Sequence, residues 1–203
     1  MALILASSSP RRQELLRAAG LEFTVRTADL PEVPEPGESP RKFAERMARE
    51  KALNVLERGV SRGDCVLGAD TVVIVDEILL GKPSDEEDAA RMLRLLSGRS
   101  HLVTTGVCLV RAGGRTQEKF GESEFSDRLV DVQSESTQVW MEKLSEQEIK
   151  AYVESGEPTD KAGAYAIQGQ ASRWISRIQG CYFNVVGLPV PVVYRMLREA
   201  GCE

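Results

Sequence analysis

The sequence predicts an α/β protein, a mixed central sheet with helices on its faces. Three observations carry this. Apolar runs of strand length, such as Leu3 to Ala6 and His101 to Arg111, are interspersed with amphipathic segments of helix length. Capping-box patterns, Ser84-Asp-Glu-Glu87 and Ser145-Glu-Gln-Glu148, mark two helix starts. Hydrophobic residues make up 42% of the 203 positions, which is enough to build a core and argues against global disorder.

The elements follow in order. Leu3 to Ala6 reads as a buried strand, and Ser9-Pro10 opens a helix closed by Gly20. Glu22 to Arg26 reads as a strand and 28–37 as a proline-rich acidic loop. Ser39-Pro40 opens a helix to about Glu57, with Phe43, Ala44, Met47, Ala48 and Val55 on one side. Lys51 projects into the middle of that stripe. There it either snorkels outward or points into a cleft. Cys65 to Leu80 reads as a strand, a bend at Gly68, a second strand, a tight turn at Asp76-Glu77 and a return strand. A helix from Ser84 to Gly98 and a strand from His101 to Arg111 come next. A hairpin turn at 112–115 and a polar loop at 116–127 follow, then a long exposed strand from Arg128 to Met141. A helix starts at Ser145. Glu157 to Gly169 is a glycine-rich loop leading into a short strand, with two further strands and a final helix from about Pro189 to Ala200.

Composition excludes several classes. Net charge is -5, so a general nucleic-acid coat is not expected. No apolar run approaches the roughly 20 residues needed to span a bilayer. Four cysteines, Cys65, Cys108, Cys181 and Cys202, lie far apart without a C-x-x-C pair and read as reduced thiols of a cytoplasmic protein. The single histidine, His101, excludes a His-based triad and a multi-His zinc site.

The residues that break local rules point to an anion. Arg11 and Arg12 lie in the first helical turn, where the helix dipole disfavours cations. With Ser9 and the free N–H groups of that turn they make an anion site. Lys51, Lys82 and Lys161 lie in similarly unusual contexts, and such a set suits the charge of a triphosphate. Asp70, flanked by bulky aliphatics, reads as a general base or metal ligand, against the alternative of a surface hairpin carboxylate. Glu32 is either a solvated loop carboxylate or, with Asp70, a holder of a hard divalent ion. The P-loop, dinucleotide and serine-hydrolase signatures are absent.

Together these segments resemble the Maf family of nucleoside triphosphate pyrophosphatases. The matching pieces are Leu5-Ala-Ser-Ser-Ser-Pro-Arg-Arg12, Arg49-Glu-Lys51-Ala52, Gly68-Ala-Asp70-Thr71, Gly81-Lys82-Pro83, Leu96-Ser97-Gly98, the 157–169 loop with its Asp160-Lys161-Ala-Gly core, and Asn184-Val-Val-Gly-Leu-Pro189. They extend over nearly the whole chain. The resemblance implies one domain over 1–203, elongated, with a cleft between two lobes. It implies cleavage of a nucleoside triphosphate to the monophosphate and pyrophosphate with a divalent cation, Mg or Mn. Asp70 matches the family's proton acceptor and, with Glu32, its metal site. Ser9, Arg12, Lys51 and Lys82 match phosphate-binding positions, and Lys161 joins them. Arg11, Thr71 and Gln168 match the dTTP/UTP branch, where the 7-methyl-GTP branch has Trp, Gln and Glu. Residues 113 to 128 and Gln170-Ala-Ser depart from common relatives, and the second departure bears on the base pocket. Implied partners are the nucleotide alone, with no nucleic acid and no membrane, and monomer or homodimer is left open. Purine or modified nucleotides, and a regulator of septum formation without turnover, are the rival expectations.

Overall fold

The computed structural model describes residues 1–113 and 129–202. The hairpin turn expected at 112–115 falls partly, and the polar loop at 116–127 wholly, outside the described residues. So does nearly all of the departing stretch 113–128. Seven strands are present among the described residues: β1 (Leu3–Leu5), β2 (Thr24–Val25), β3 (Cys65–Val75), β4 (Ile78–Leu80), β5 (Ser100–Arg111), β6 (Leu129–Met141) and β7 (Ile175–Gln179). The helices are α1 (Pro10–Ala18), α2 (Pro40–Glu57), α3 (Glu86–Leu96), α4 (Glu146–Glu154), α5 (Tyr182–Val186) and α6 (Val190–Glu199).

The strands form one mixed sheet in the order β2-β1-β3-β5-β6-β7, with β4 added to β3. β1 runs parallel to β2 and β3, and the other pairs are antiparallel. One edge of β3 is covered by β5 along nearly its whole length. The other edge is covered at its two ends only. β1 pairs with Cys65 to Leu67, and β4 pairs with Val73 to Val75. Residues Gly68 to Val72 therefore lie at a gap in the sheet, where both faces of β3 can be reached.

Alternation along the strands sorts the core. Leu3, Leu5, Leu67, Ala69, Val107 and Leu109 pack with α1 and α6. Ile4, Ala6, Val66, Cys108 and Val110 pack with α2. Beyond the gap, Val73, Val75, Val103 and Val139 join α3, α4 and the 157–174 segment in a second core. The two lobes meet at the β3 gap.

Several expectations are corrected here. Gly68 does not bend the chain, because β3 is continuous from Cys65 to Val75. It is glycine because a Cβ would collide with the Ala48 carbonyl oxygen of α2, and Gly106 meets Ala44 in the same way. This close helix–sheet approach brings Lys51 against β3. The third helix is capped by Asp85, which accepts from the Asp88 amide at 2.7 Å, so the N-cap falls one residue after the expected Ser84. The short strand expected at the end of the glycine-rich loop is absent, and 3₁₀ turns at Glu157–Asp160, Ala162–Ala164 and Gln170–Trp174 hold that region. Of the next two strands only β7 forms, and the second is α5. Its β-favouring Tyr-Phe-Asn-Val-Val sequence is overridden by Asn184, whose amide donates to the Val103 carbonyl at 2.9 Å and to Thr137 Oγ1 at 3.0 Å. Cys65 and Cys202, expected as separate reduced thiols, are disulfide-bonded across 137 positions. Their proximity comes from α6 returning over the start of β3, which spacing in the chain does not reveal. Cys108 and Cys181 are free.

Two local expectations hold. Asp76 and Glu77 both have positive φ, 47° and 65°, as a two-residue I′ hairpin requires. Ser145 and Glu148 form the reciprocal capping box. Among the described residues no helix is long and apolar enough to cross a membrane.

His101 is buried in the second lobe, with Nε2 at 2.7 Å from Tyr165 Oη and Nδ1 unpartnered. Burial pushes its pKa down to about 4. The native ring stays neutral while the unfolded ring takes a proton below about pH 6.5. Its contribution is therefore fully present above pH 6.5 and is lost as pH falls towards 4, by about 3 kcal/mol. Urea unfolding of the wild type and His101→Gln across this window is expected to show a smaller loss in the variant. Parallel pH dependences would contradict it. Glu32, held below its ordinary value of 4.5, adds a loss further into acid that both proteins share.

Candidate active site

A cleft of about 480 Å³ opens at the β3 gap between the lobes, within the roughly 300–1,000 Å³ of small-molecule sites. Residues from α1, α2, α5, β3 and the loops around them line it. The structure places Ser9, Arg11, Arg12, Glu32, Lys51, Asp70, Thr71, Lys82, Lys161 and Gln168 all on this one cleft.

Asp70 and Thr71 are neighbours in the gap and so point to opposite faces of the sheet. Asp70 faces α2. There Lys51, 8% exposed, donates from Nζ to Asp70 Oδ1 and to Glu32 Oε1, at 2.6 Å each. Lys51 thus points into the cleft. Burial pushes the Asp70 carboxyl above its ordinary value, outweighing the charges of Lys51 and Arg12. Burial pushes Glu32 the same way, but less completely. The hydrogen bond and charge of Lys51, with Lys82 and Arg12, hold it below its ordinary value. The two carboxylates on one ammonium therefore differ in basicity. The Glu32 loop is tied down by Arg46 of α2, which donates to the Val33 carbonyl at 3.0 Å and to Glu38 at 2.8 Å.

Thr71 faces the other way, towards Arg12. Pro10 stands at the first position of α1, the first turn has no acidic residue, and the Ser9 hydroxyl makes no cap. The first-turn N–H groups have no partner within the helix, which leaves a positive helix end open to the cleft. Arg12 is buried and held on three sides: Nε donates to the Gly187 carbonyl at 2.8 Å, Nη1 to Ser7 Oγ at 3.0 Å and Nη2 to Thr71 Oγ1 at 3.0 Å. Burial lowers its pKa from 12.5, yet a guanidinium remains charged in proteins. Of its five N–H groups two are left for a ligand.

The remaining cations ring the mouth. Lys82, exposed, has no hydrogen-bond or ion-pair partner among the described residues. Lys161 donates to the Glu157 carbonyl at 2.6 Å and to Asp160, and Arg11 approaches Asp160 at 3.6 Å. Asp160 thus balances two cations of the mouth. Gln168 is exposed at the same rim. It is followed by Gly169, whose Cβ would collide with the Glu157 carboxylate, and Glu157 in turn accepts from the Gln170 amide at 3.0 Å and from Tyr152 at 2.9 Å.

Sequence reasoning missed Thr105, Gly187, Arg46 and Glu157 as supports of the site. Thr105 had a readable signal, a hydroxyl inside the apolar run His101 to Arg111. Glu157 and Gly187 lie in motifs already quoted, but their roles, and that of Arg46, come from contacts that join separate segments.

Comparison with known proteins covers the same span. The family model for Maf-like protein matches residues 2–200. The chain is 50% identical over 201 residues to a dTTP/UTP pyrophosphatase of Koribacter versatilis, covering 99% of this chain and 95% of that one. It is 48% identical over 197 residues to a dTTP/UTP pyrophosphatase of Syntrophomonas wolfei, covering 97% and 96%. A third, from Symbiobacterium thermophilum, is 49% identical over 199 residues, covering 98% and 94%. The match takes in both lobes and every residue placed on the cleft, and the chain belongs to the Maf family.

Proposed function

We propose that the protein hydrolyses nucleoside triphosphates, dTTP and UTP first among them, to the monophosphate and pyrophosphate. The observation that carries this is the Glu32–Lys51–Asp70 bridge at the sheet gap, set among four further cations in one cleft. A buried carboxylate of raised pKa beside so much positive charge suits a site that binds an anion and also takes up a proton. The near-identical size and high identity of three dTTP/UTP pyrophosphatases support the choice of reaction and of bases.

In this reading a water attacks the α-phosphorus. The new bond forms from its oxygen, and Asp70 takes its proton. The bond from the α-phosphorus to the bridging oxygen breaks, and its electron pair leaves with pyrophosphate. Arg12, Lys51 and Lys82, with the first-turn N–H groups of α1, hold the phosphates and meet the charge that develops on the departing group. Ser9 and Lys161 hold the triphosphate at the mouth. Arg11, Thr71 and Gln168 set the choice of nucleotide, and the Gln168 amide has the donor and acceptor that a uracil or thymine edge needs.

The donor set also fits a divalent cation. Glu32 and Asp70 both bond Lys51 Nζ, so the two carboxylates lie close together, and oxygen donors of this kind would suit a hard ion such as Mg or Mn. Among the described residues no three or more His, Cys, Asp or Glu side chains converge, so these two carboxylates would hold the ion only together with water and phosphate oxygens. Bound there, the ion supplies positive charge to the phosphate oxygens.

Pyrophosphate release from a panel of triphosphates, with Mg or Mn present, tests the proposal. The expected result is turnover with dTTP and UTP above all purine and modified nucleotides. Preference for 7-methyl-GTP would overturn the base assignment. No turnover with any triphosphate would overturn the enzyme and favour a nucleotide-binding regulator.

A further inference from the structure

Behind the cleft wall lies a chain of hydroxyls. Thr71 and Thr105 are directly opposite in the β3–β5 register, and their Oγ1 atoms are 2.9 Å apart. Thr105 is fully buried and does not line the cleft. Its Oγ1 lies 3.2 Å from the Asn184 carbonyl of α5, which can only accept. The one hydrogen of Thr105 therefore goes to Asn184. Thr71 then donates to Thr105 while its oxygen accepts from Arg12 Nη2. The alternative acceptor for Thr71, the Gly187 carbonyl at 3.4 Å, is longer and already serves Arg12 Nε. The far end is rigid, because Asn184 is fully buried and its amide is bonded to Val103 and Thr137.

We propose that Thr105 is a positioning residue for the reaction, acting through Thr71 to aim the guanidinium of Arg12 at the triphosphate. The proposal rests on the reading of Arg12 as a phosphate-binding group. Thr105 takes the Thr71 hydrogen towards β5, which keeps it off the guanidinium and off the Gly187 carbonyl that Arg12 Nε uses, and anchors the oxygen that Arg12 Nη2 bonds. Without an acceptor at position 105, the Thr71 hydroxyl loses its anchor to β5, and its hydrogen turns to the Gly187 carbonyl, where it competes with Arg12 Nε, so two of the three bonds that hold the guanidinium loosen. The fork then keeps its charge but not its aim, and an arginine fork recognises phosphate through geometry as well as charge. Thr71 on this account affects nucleotide choice through Arg12, not by touching the base.

The test is a double-mutant cycle in the full chain, read as kcat and KM for UTP by pyrophosphate release, with thermal unfolding followed in parallel. Thr105→Val keeps shape and removes the hydroxyl. It is expected to lower kcat/KM about tenfold, mainly through KM, as for one hydrogen bond to a charged group. Thr105→Ser is expected to restore it to within about threefold. In an Arg12→Ala background, Thr105→Val is expected to change kcat/KM by less than about twofold. Multiplying effects of Thr105→Val and Arg12→Ala would overturn the relay and leave the phosphate role of Arg12 standing. A lowered melting temperature with kcat/KM intact would also overturn the relay. An Arg12→Ala enzyme with unchanged kcat/KM would overturn the phosphate role and the relay with it. If Thr105→Val does not fold, Thr105→Cys, close in size and a weak hydrogen-bond former, is judged by the same outcomes.

Discussion

Asp70→Asn is expected to lower turnover of UTP by about 10²–10⁴-fold while leaving triphosphate affinity within about threefold. The amide matches the carboxylate in shape, and its oxygen can still accept from Lys51 Nζ, now 2.6 Å from Asp70 Oδ1. It cannot take a proton from water. Binding loses no side-chain cation and is relieved of one negative charge, and Glu32 and the amide oxygen remain to hold the ion, so affinity is not expected to fall steeply. The pH profile gives a second readout. A base works only when deprotonated, and burial holds Asp70 above its ordinary value of 3.8. The acid limb of kcat/KM is therefore expected above 3.8, with activity falling as pH drops through it. Near-normal turnover in Asp70→Asn would sink the assignment, and so would the same acid limb in its residual activity.

Arg12→Ala is expected to weaken UTP binding about 10²-fold and binding of uridine by less than about threefold. The two free N–H groups of Arg12 would make charge-assisted bonds to phosphate, each worth about 1.5–3 kcal/mol. Uridine has no phosphate to lose them. Measured in the Asp70→Asn background, binding is not confounded by turnover. Arg12→Lys is expected to fall between, because it keeps the charge and loses the fork that Gly187, Ser7 and Thr71 hold in place. Equal losses for UTP and uridine would contradict a phosphate role. They would point instead to Arg12 as a structural tie between α1 and α5.

The parts of the fold legible beforehand were those coded locally. The Ser39-Pro40 start of α2, the Asp76-Glu77 hairpin and the Ser145 capping box each follow from a few adjacent residues, and each formed. The misreadings share one cause. Tyr182 to Val186 has the composition of a strand, but Asn184 is fixed by β5 and β6, and that tertiary contact outweighs propensity. Gly68 suggested a bend because a glycine in a strand has several meanings, and only the packed Ala48 shows which applies. The disulfide partner of Cys65 lay 137 residues away.

The sequence by itself determined the family, the mixed α/β class and the set of charged residues in the cleft, because these depend on residue identity and short-range order. It left Lys51 undecided between solvent and cleft, and Glu32 between loop and site. The tertiary structure decided both. The glycines at 68 and 106 let α2 approach the sheet closely, and the gap between β1 and β4 exposes both faces of β3. Lys51 is thereby carried to Asp70 and Glu32, while Thr71 is turned to Arg12. Which charge meets which is a matter of strand register and helix distance, and these are set by packing between segments that are far apart in the chain.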